Sequence, residues 1–173
     1  DEQDPETALD ALAHAVWERG CDALWVHARK AWLEGLSPKE NRTVPPLDYD
    51  RVYRLRSENP CRFIGINGGV DELNQVVHHL NQVDGVMMGR AAYRNPSLLL
   101  GIDSLIFNAP ASSISSREIL SAMSAYAETH LSEGGKLHQI TRHMIGLFQG
   151  VPGARAYRQI LSTQATRPGA GSE

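Results

Sequence analysis

Short apolar runs alternating with amphipathic helical patterns constrain this chain more than any other feature. Ala23 to Val26, Phe63 to Ile66 and Gly85 to Met88 are too short for helices and read as strands. The first run is expected to be buried on both faces. Ahead of it, Ala8, Leu9, Leu12, Ala15 and Val16 fall on helical spacing within Thr7 to Arg19, and Gly20 can close that helix in a left-handed conformation. Asp48 can cap a helix through Arg56 that turns Val52 and Leu55 inward, and Asp71 can cap another through Leu80. Pro96, after Asn95, suits the first position of a helix running through Ile106. Such alternation predicts parallel strands joined by right-handed crossovers.

A closed eight-stranded barrel takes about 250 residues. Residues 1–107 would then be less than half of one, and three parallel strands alone would leave two open edges. The chain starts at Asp1, inside the approach to a helix, which is read as the sign of a longer protein. After Phe107 the character changes. Residues 108–116 are rich in Pro, Ala and Ser and read as a linker. Helical pattern then resumes, with Ile119, Met123, Tyr126 and Leu131 on one face, Leu137, Ile140, Met144, Leu147 and Phe148 on a second, and a third helix from Ala154 to Ser162. The expected architecture is α/β: the C-terminal part of a TIM barrel over residues 1–107, then a small all-α domain over residues 117–165. The tail, 166–173, is expected to be disordered.

Composition excludes several classes. No apolar stretch approaches the roughly 18 to 20 residues of a membrane helix, and the acidic start has no basic signal-peptide region. Cys21 and Cys61 have no metal-ligand spacing and read as reduced thiols of a cytoplasmic protein, with no metal expected. The net charge of -3 hides an asymmetry: no acid lies between Glu133 and Glu173, where Lys136, Arg142, Arg155, Arg158 and Arg167 are joined by His138 and His143. This suits either an anionic partner such as nucleic acid or a solvated face and tail.

Each strand runs into chemically unusual residues: His27-Ala28-Arg29-Lys30, Asn67-Gly68-Gly69 and Gly89-Arg90. Parallel α/β folds bind ligands at the carboxyl ends of their strands, so the three clusters would share one rim. Paired glycines let backbone approach a phosphate, the helix starting near Asp71 would add its N–H groups, and Arg90 would add a bidentate donor. Taken singly, Gly68-Gly69 could be a plain turn and His27 a satisfied core histidine. Together they reach a phosphate-bearing cofactor or substrate on a barrel rim.

The stretch from His27 through Ala-Arg-Lys-Ala-Trp-Leu-Glu-Gly-Leu-Ser-Pro-Lys-Glu-Asn to Arg42 resembles a signature of the A-type tRNA-dihydrouridine synthases. Pro45 to Tyr49, Ile66 to Gly69, Asp84 to Tyr93 with Asn95-Pro96, Ile140 to Gly150, and Pro152 to Arg155 continue the likeness in order, over about residues 4–162. The resemblance implies a flavin-binding barrel followed by a helical tRNA-binding domain. It implies FMN reduced by NADPH, hydride delivery to the C5=C6 bond of a D-loop uridine (20/20a), and a cysteine acid protonating the other carbon. By the same likeness His27 contacts the flavin, Asn67, Gly68, Gly69, Gly89 and Arg90 hold the FMN phosphate, and Arg29 faces the uracil. Lys39 and Arg42 in the loop after the first strand, with Arg155 and Arg158 on the last helix, bind tRNA. A uridine in folded tRNA must be splayed out to be reduced, at a cost of a few kcal/mol that phosphate contacts can offset.

Neither Cys21 nor Cys61 matches the family's catalytic position. No catalytic residue is therefore assigned in this chain. The cysteine is expected upstream with the first five strands, and the chain alone is expected to be inactive. The full-length protein is expected to be a monomer. Competing readings are a non-catalytic tRNA-binding remnant or pseudoenzyme, and an unrelated barrel enzyme binding a sugar phosphate at the same rim.

Overall fold

The computed structural model describes residues 3–172. They form two compact units that divide between Gly89 and Arg90.

The first unit is built on a parallel three-stranded sheet: β1 (Ala23–His27), β2 (Phe63–Asn67) and β3 (Gly85–Met87), in spatial order β1-β2-β3. Helix α1 (Pro5–Glu18) precedes β1, α2 (Tyr49–Glu58) links β1 to β2, and α3 (Leu73–Leu80) links β2 to β3. Local signals explain the boundaries. The Asp4 side chain accepts from Glu6 N at 3.0 Å and starts α1, and Gly20 ends the turn after it at φ +87°. The Asp48 carboxylate accepts from Arg51 N at 3.0 Å and starts α2. For α3 the cap is Glu72, not Asp71: Glu72 and Gln75 form a capping box, and Gln75 Oε1 accepts from Asp71 N and Glu72 N at 2.8 and 3.0 Å.

Period-two alternation gives the sheet two unlike faces. Val26, Ile64 and Ile66 pack with Ala13 and Trp17 of α1, Val52 and Leu55 of α2, and Val83, forming one apolar core. The opposite face carries Trp25, Phe63 and Met87, which are 42, 38 and 40% exposed. β1 is therefore buried on one face, not the two expected, because no described layer covers the other. Trp25 lies across Gly65 and Gly85, where a Cβ would collide with its ring, and meets Phe63 at 5.6 Å between ring centroids. Arg56 and Asp84 tie α2 to the start of β3 at 2.6 Å, and Asp84 also accepts from Ile64 N at 2.9 Å.

The second unit is helical: α4 (Arg90–Arg94), a 3-10 segment (Pro96–Gly101), α5 (Ile102–Phe107), α6 (Ser116–Ser132), α7 (His138–Thr141) and α8 (Ala154–Thr163). The continuous helix expected from Asn95 to Ile106 is broken into the 3-10 segment and α5. Residues 90–107 cluster with the helices rather than with the strands, earlier than the sequence boundary at Phe107. Ser97 Oγ donating to Leu147 O at 2.9 Å is one reason. A capping box between Ser115 and Glu118 starts α6. Met123 and Leu131 of the expected face pack on the helical core beside the buried Ala127, whereas Tyr126 is 59% exposed. The second helical pattern condenses to the four residues of α7 followed by tight turns through Gly150. Residues 166–172, expected to be disordered, form turns, with Ala170 against the cluster of Ala127, Leu137, Ile140 and Ala165 and Ser172 Oγ 3.1 Å from Glu128 Oε1.

Candidate functional site

Parallel register sets the rim of the first unit. His27 pairs with Asn67 and Asn67 with Met87, so the strands end level. Gly68 and Gly69 follow β2 at φ +123° and +68°, in a region that side-chain-bearing residues avoid. A Cβ at Gly68 would stand 3.1 Å from Leu47 Cδ2 and 3.2 Å from His27 Cε1. A Cβ at Gly69 would stand 3.0 Å from Tyr49 Oη. His27, Asn67, Gly68 and Gly69 are thus brought together, and Gly89 follows β3 at the same sheet end with open space at its Cα. Arg90 opens the second unit. Cys21 and Cys61 lie before β1 and β2, at the opposite sheet end.

The close packing at the glycines is with the protein's own Leu47, Tyr49 and His27. Tyr49 Oη donates to Gly68 O at 2.8 Å, which pins the turn, and burial raises the phenol above its ordinary value. Behind it the buried His79 ring stands 4.5 Å from Tyr49 between centroids and 2.5 Å from Tyr53 Oη through Nδ1. Burial, then the neighbouring His78, lowers the imidazole below its ordinary value, while burial raises Tyr53. The glycine turn fits a phosphate by its backbone freedom. At the start of α3 the Asp71 and Glu72 N–H groups are taken by Gln75 Oε1, and the Gln75 N–H by the Glu72 side chain.

Arg29 is half-buried and folded onto the following loop, with Nη1 donating to Pro45 O and, at 3.4 Å, to Thr43 O. Its Nε is buried without a hydrogen-bond partner among the described residues. The loop itself is internally braced. Ser37 N and Oγ donate to Glu40 Oε2 at 2.8 and 2.6 Å. Asn41 accepts from Trp32 N and donates to Trp32 O, both at 2.7 Å. Lys39 and Arg42 project from this frame, exposed, and Arg42 Nε donates to Pro38 O at 3.0 Å.

In the second unit Arg155 and Arg158 are exposed on α8. Arg158 shares a recess with Tyr93, Arg94, Arg142 and His143. The sequence placed Arg142 and His143 in the basic segment and Tyr93 in the stretch that carries the resemblance, but none of the three in a site, and Arg94 was not singled out. The acid-free stretch was the signal available for the first two. For the others there was none, because only folding brings residues about fifty positions apart together.

Comparison with known proteins bears on what this arrangement serves. A family model described as "Dihydrouridine synthase (Dus)" matches residues 1–172. The chain is 51% identical over 173 residues to a tRNA-dihydrouridine(20/20a) synthase of Shewanella oneidensis, covering 100% of this chain and 52% of the relative. It is 50% identical over 172 residues to the protein of that name from Yersinia pestis (99% and 50%), and 47% over 171 to that of Escherichia coli K12 (98% and 50%). The chain spans about half the length of these curated relatives. With a family match along its whole described length, the chain belongs to the dihydrouridine synthase family.

Proposed function

We propose that this chain supplies the last strands of an FMN-binding TIM barrel and the helical tRNA-binding unit of a tRNA-dihydrouridine(20/20a) synthase that uses NADPH and works in the cytoplasm. The match to the family over residues 1–172 carries this reading. The sheet is compatible with the barrel: its three parallel strands follow one another in chain order, as successive barrel strands do. When bound, FMN would carry hydride from NADPH to the C5=C6 bond of the uracil.

The residues of this chain would bind and orient. The turn at Gly68-Gly69 and Gly89 would approach the phosphate through backbone, with Arg90, the next residue in the chain, as its cation. Asn67 and His27 would stand level beneath the ring. Arg29 Nε is a buried donor that a uracil oxygen could satisfy. Lys39 and Arg42 on the braced loop, and Arg155 and Arg158 on α8, would meet tRNA phosphates.

Neither cysteine stands at the strand ends that carry His27 and Asn67, so neither is assigned as the acid. The alternative reading is tRNA binding without catalysis. Incubation of the purified chain with FMN, NADPH and unmodified tRNA is expected to yield no dihydrouridine. Flavin titration separates the readings: saturable FMN binding weakened by Arg90→Ala supports the flavoprotein, and tRNA binding without flavin binding supports the remnant. Equal flavin affinity with and without Arg90→Ala would remove Arg90 from the phosphate site.

A further inference from the structure

The recess of about 260 Å³ on the helical unit is lined by Tyr93, Arg94, Arg142, His143 and Arg158, together with Ile145, Gly146 and Gln149. Three arginines line it and no Asp or Glu does. Among the described residues, the ion pairs of Arg51, Arg54 and Arg56 with Glu6, Asp10 and Asp84 involve none of the three.

Its hydrogen-bond polarity is fixed by geometry. Arg142 Nε–H can only donate, and its partner at 2.9 Å is His143 Nε2. Nε2 must then be the acceptor nitrogen, which places the ring proton on Nδ1. That proton donates to Tyr93 Oη at 2.8 Å. With its oxygen accepting from the imidazole, the Tyr93 hydroxyl is left to donate its own proton outward. Arginine, imidazole and phenol thus form a relay that ends in a donor among cations.

The walls are held in place by backbone. A Cβ at Gly146 would collide with Arg94 O, so the end of α4 sits directly on the turn that carries Arg142 and His143. Tyr157 of α8 donates to Met144 O at 3.2 Å, and its ring meets Phe148 edge-on at 4.8 Å, which fixes α8 and Arg158 to the same turn.

We propose that this recess is a phosphate-binding pocket that seats one backbone phosphodiester of the bound RNA. Tyr93 Oη–H and the Arg142 guanidinium are its orienting donors, and Arg94 and Arg158 supply its field. A monoanion with acceptor-only oxygens is what an arginine-rich, carboxylate-free lining selects. The source of the phosphate rests on the tRNA reading above; the pocket does not.

The test measures tRNA affinity of the full chain across salt concentrations for Tyr93→Phe and Arg142→Ala. Tyr93→Phe removes one hydroxyl and is expected to weaken binding about tenfold. Arg142→Ala is expected to weaken it similarly and to lower the salt slope by about one unit. Native-like circular dichroism in both variants, with unchanged affinity and slope, would overturn the pocket. If the unaltered chain binds no tRNA, titration with inorganic phosphate decides. A saturable change in the His143 ring resonances that Arg142→Ala abolishes would keep the pocket and remove RNA as its source. No such change would overturn both.

Discussion

Gly69 has two reasons to be glycine, and both lie inside the protein. Its φ of +68° is costly for any other residue, and an added methyl would press on Leu47 and stand 3.0 Å from Tyr49 Oη. Gly69→Ala is therefore expected to lose about 1–2 kcal/mol of unfolding free energy, seen as a lower urea midpoint at unchanged m-value. An unchanged midpoint would mean that the turn relaxes freely. The sequence made this glycine pair conspicuous, but as a phosphate cradle alone. Leu47 and Tyr49 lie about twenty positions away, and no local pattern announces that they pack on it. His79 was missed for the same reason: in sequence it is one of two adjacent histidines on a helix, and only folding seats it between Tyr49 and Tyr53.

Capping signals were the most legible feature among the elements. Asp48 does what its position promised, and where Asp71 failed the true cap was its neighbour Glu72, whose box with Gln75 uses a longer acid than the short caps that pattern reading favours. The Ser115–Glu118 box starts the longest helix of the second unit. Ser115→Ala is expected to cost about 1 kcal/mol, with fraying of the first turn of α6 visible as faster amide exchange there and unaltered exchange in the sheet. Equal exchange across α6 would show that packing, not the cap, sets its start. The inner face of α6 was read in part, with Met123 and Leu131 packed on the helical core as expected. Small Ala127, not large Tyr126, sits inside because α6 packs close to the turns around Leu137 and Ile140, and an alanine admits that approach. The signature stretch between β1 and α2 carried its resemblance plainly but hid its mechanics: Asn41 and Glu40 are the struts that hold Lys39 and Arg42 outward.

Charge divides the whole molecule as the contacts do. Residues 1–89 hold nine lysines and arginines against fifteen acids, and residues 90–173 hold eight against five. The basic segment was visible in the sequence, while its convergence on one recess was not. Stability should also depend on pH through His79. Its imidazole is held below the ordinary value of 6.5, so below that pH the unfolded chain takes up a proton that the folded chain resists. Unfolding then gains protons, and the contribution, fully present above the ordinary value, is lost as pH falls through the folded one. Between about pH 7.5 and about pH 5.5 the urea midpoint is expected to fall, and His79→Gln is expected to flatten that fall. An equally steep fall in the variant would assign the effect to other groups.

The half-covered sheet gives the molecule an optical property. Trp17 is buried in the core, while Trp25 and Trp32 are 42 and 37% exposed, one on the open sheet face and the other on the braced loop. The chain therefore carries one indole in a dry environment and two that feel water. Any surface laid over the open face will dehydrate Trp25 and shift the emission to shorter wavelength, and an isoalloxazine ring seated at the same sheet end will quench it by energy transfer. The fluorescence of the unlabelled protein thus reports, in one spectrum, whether that face is bare or clothed.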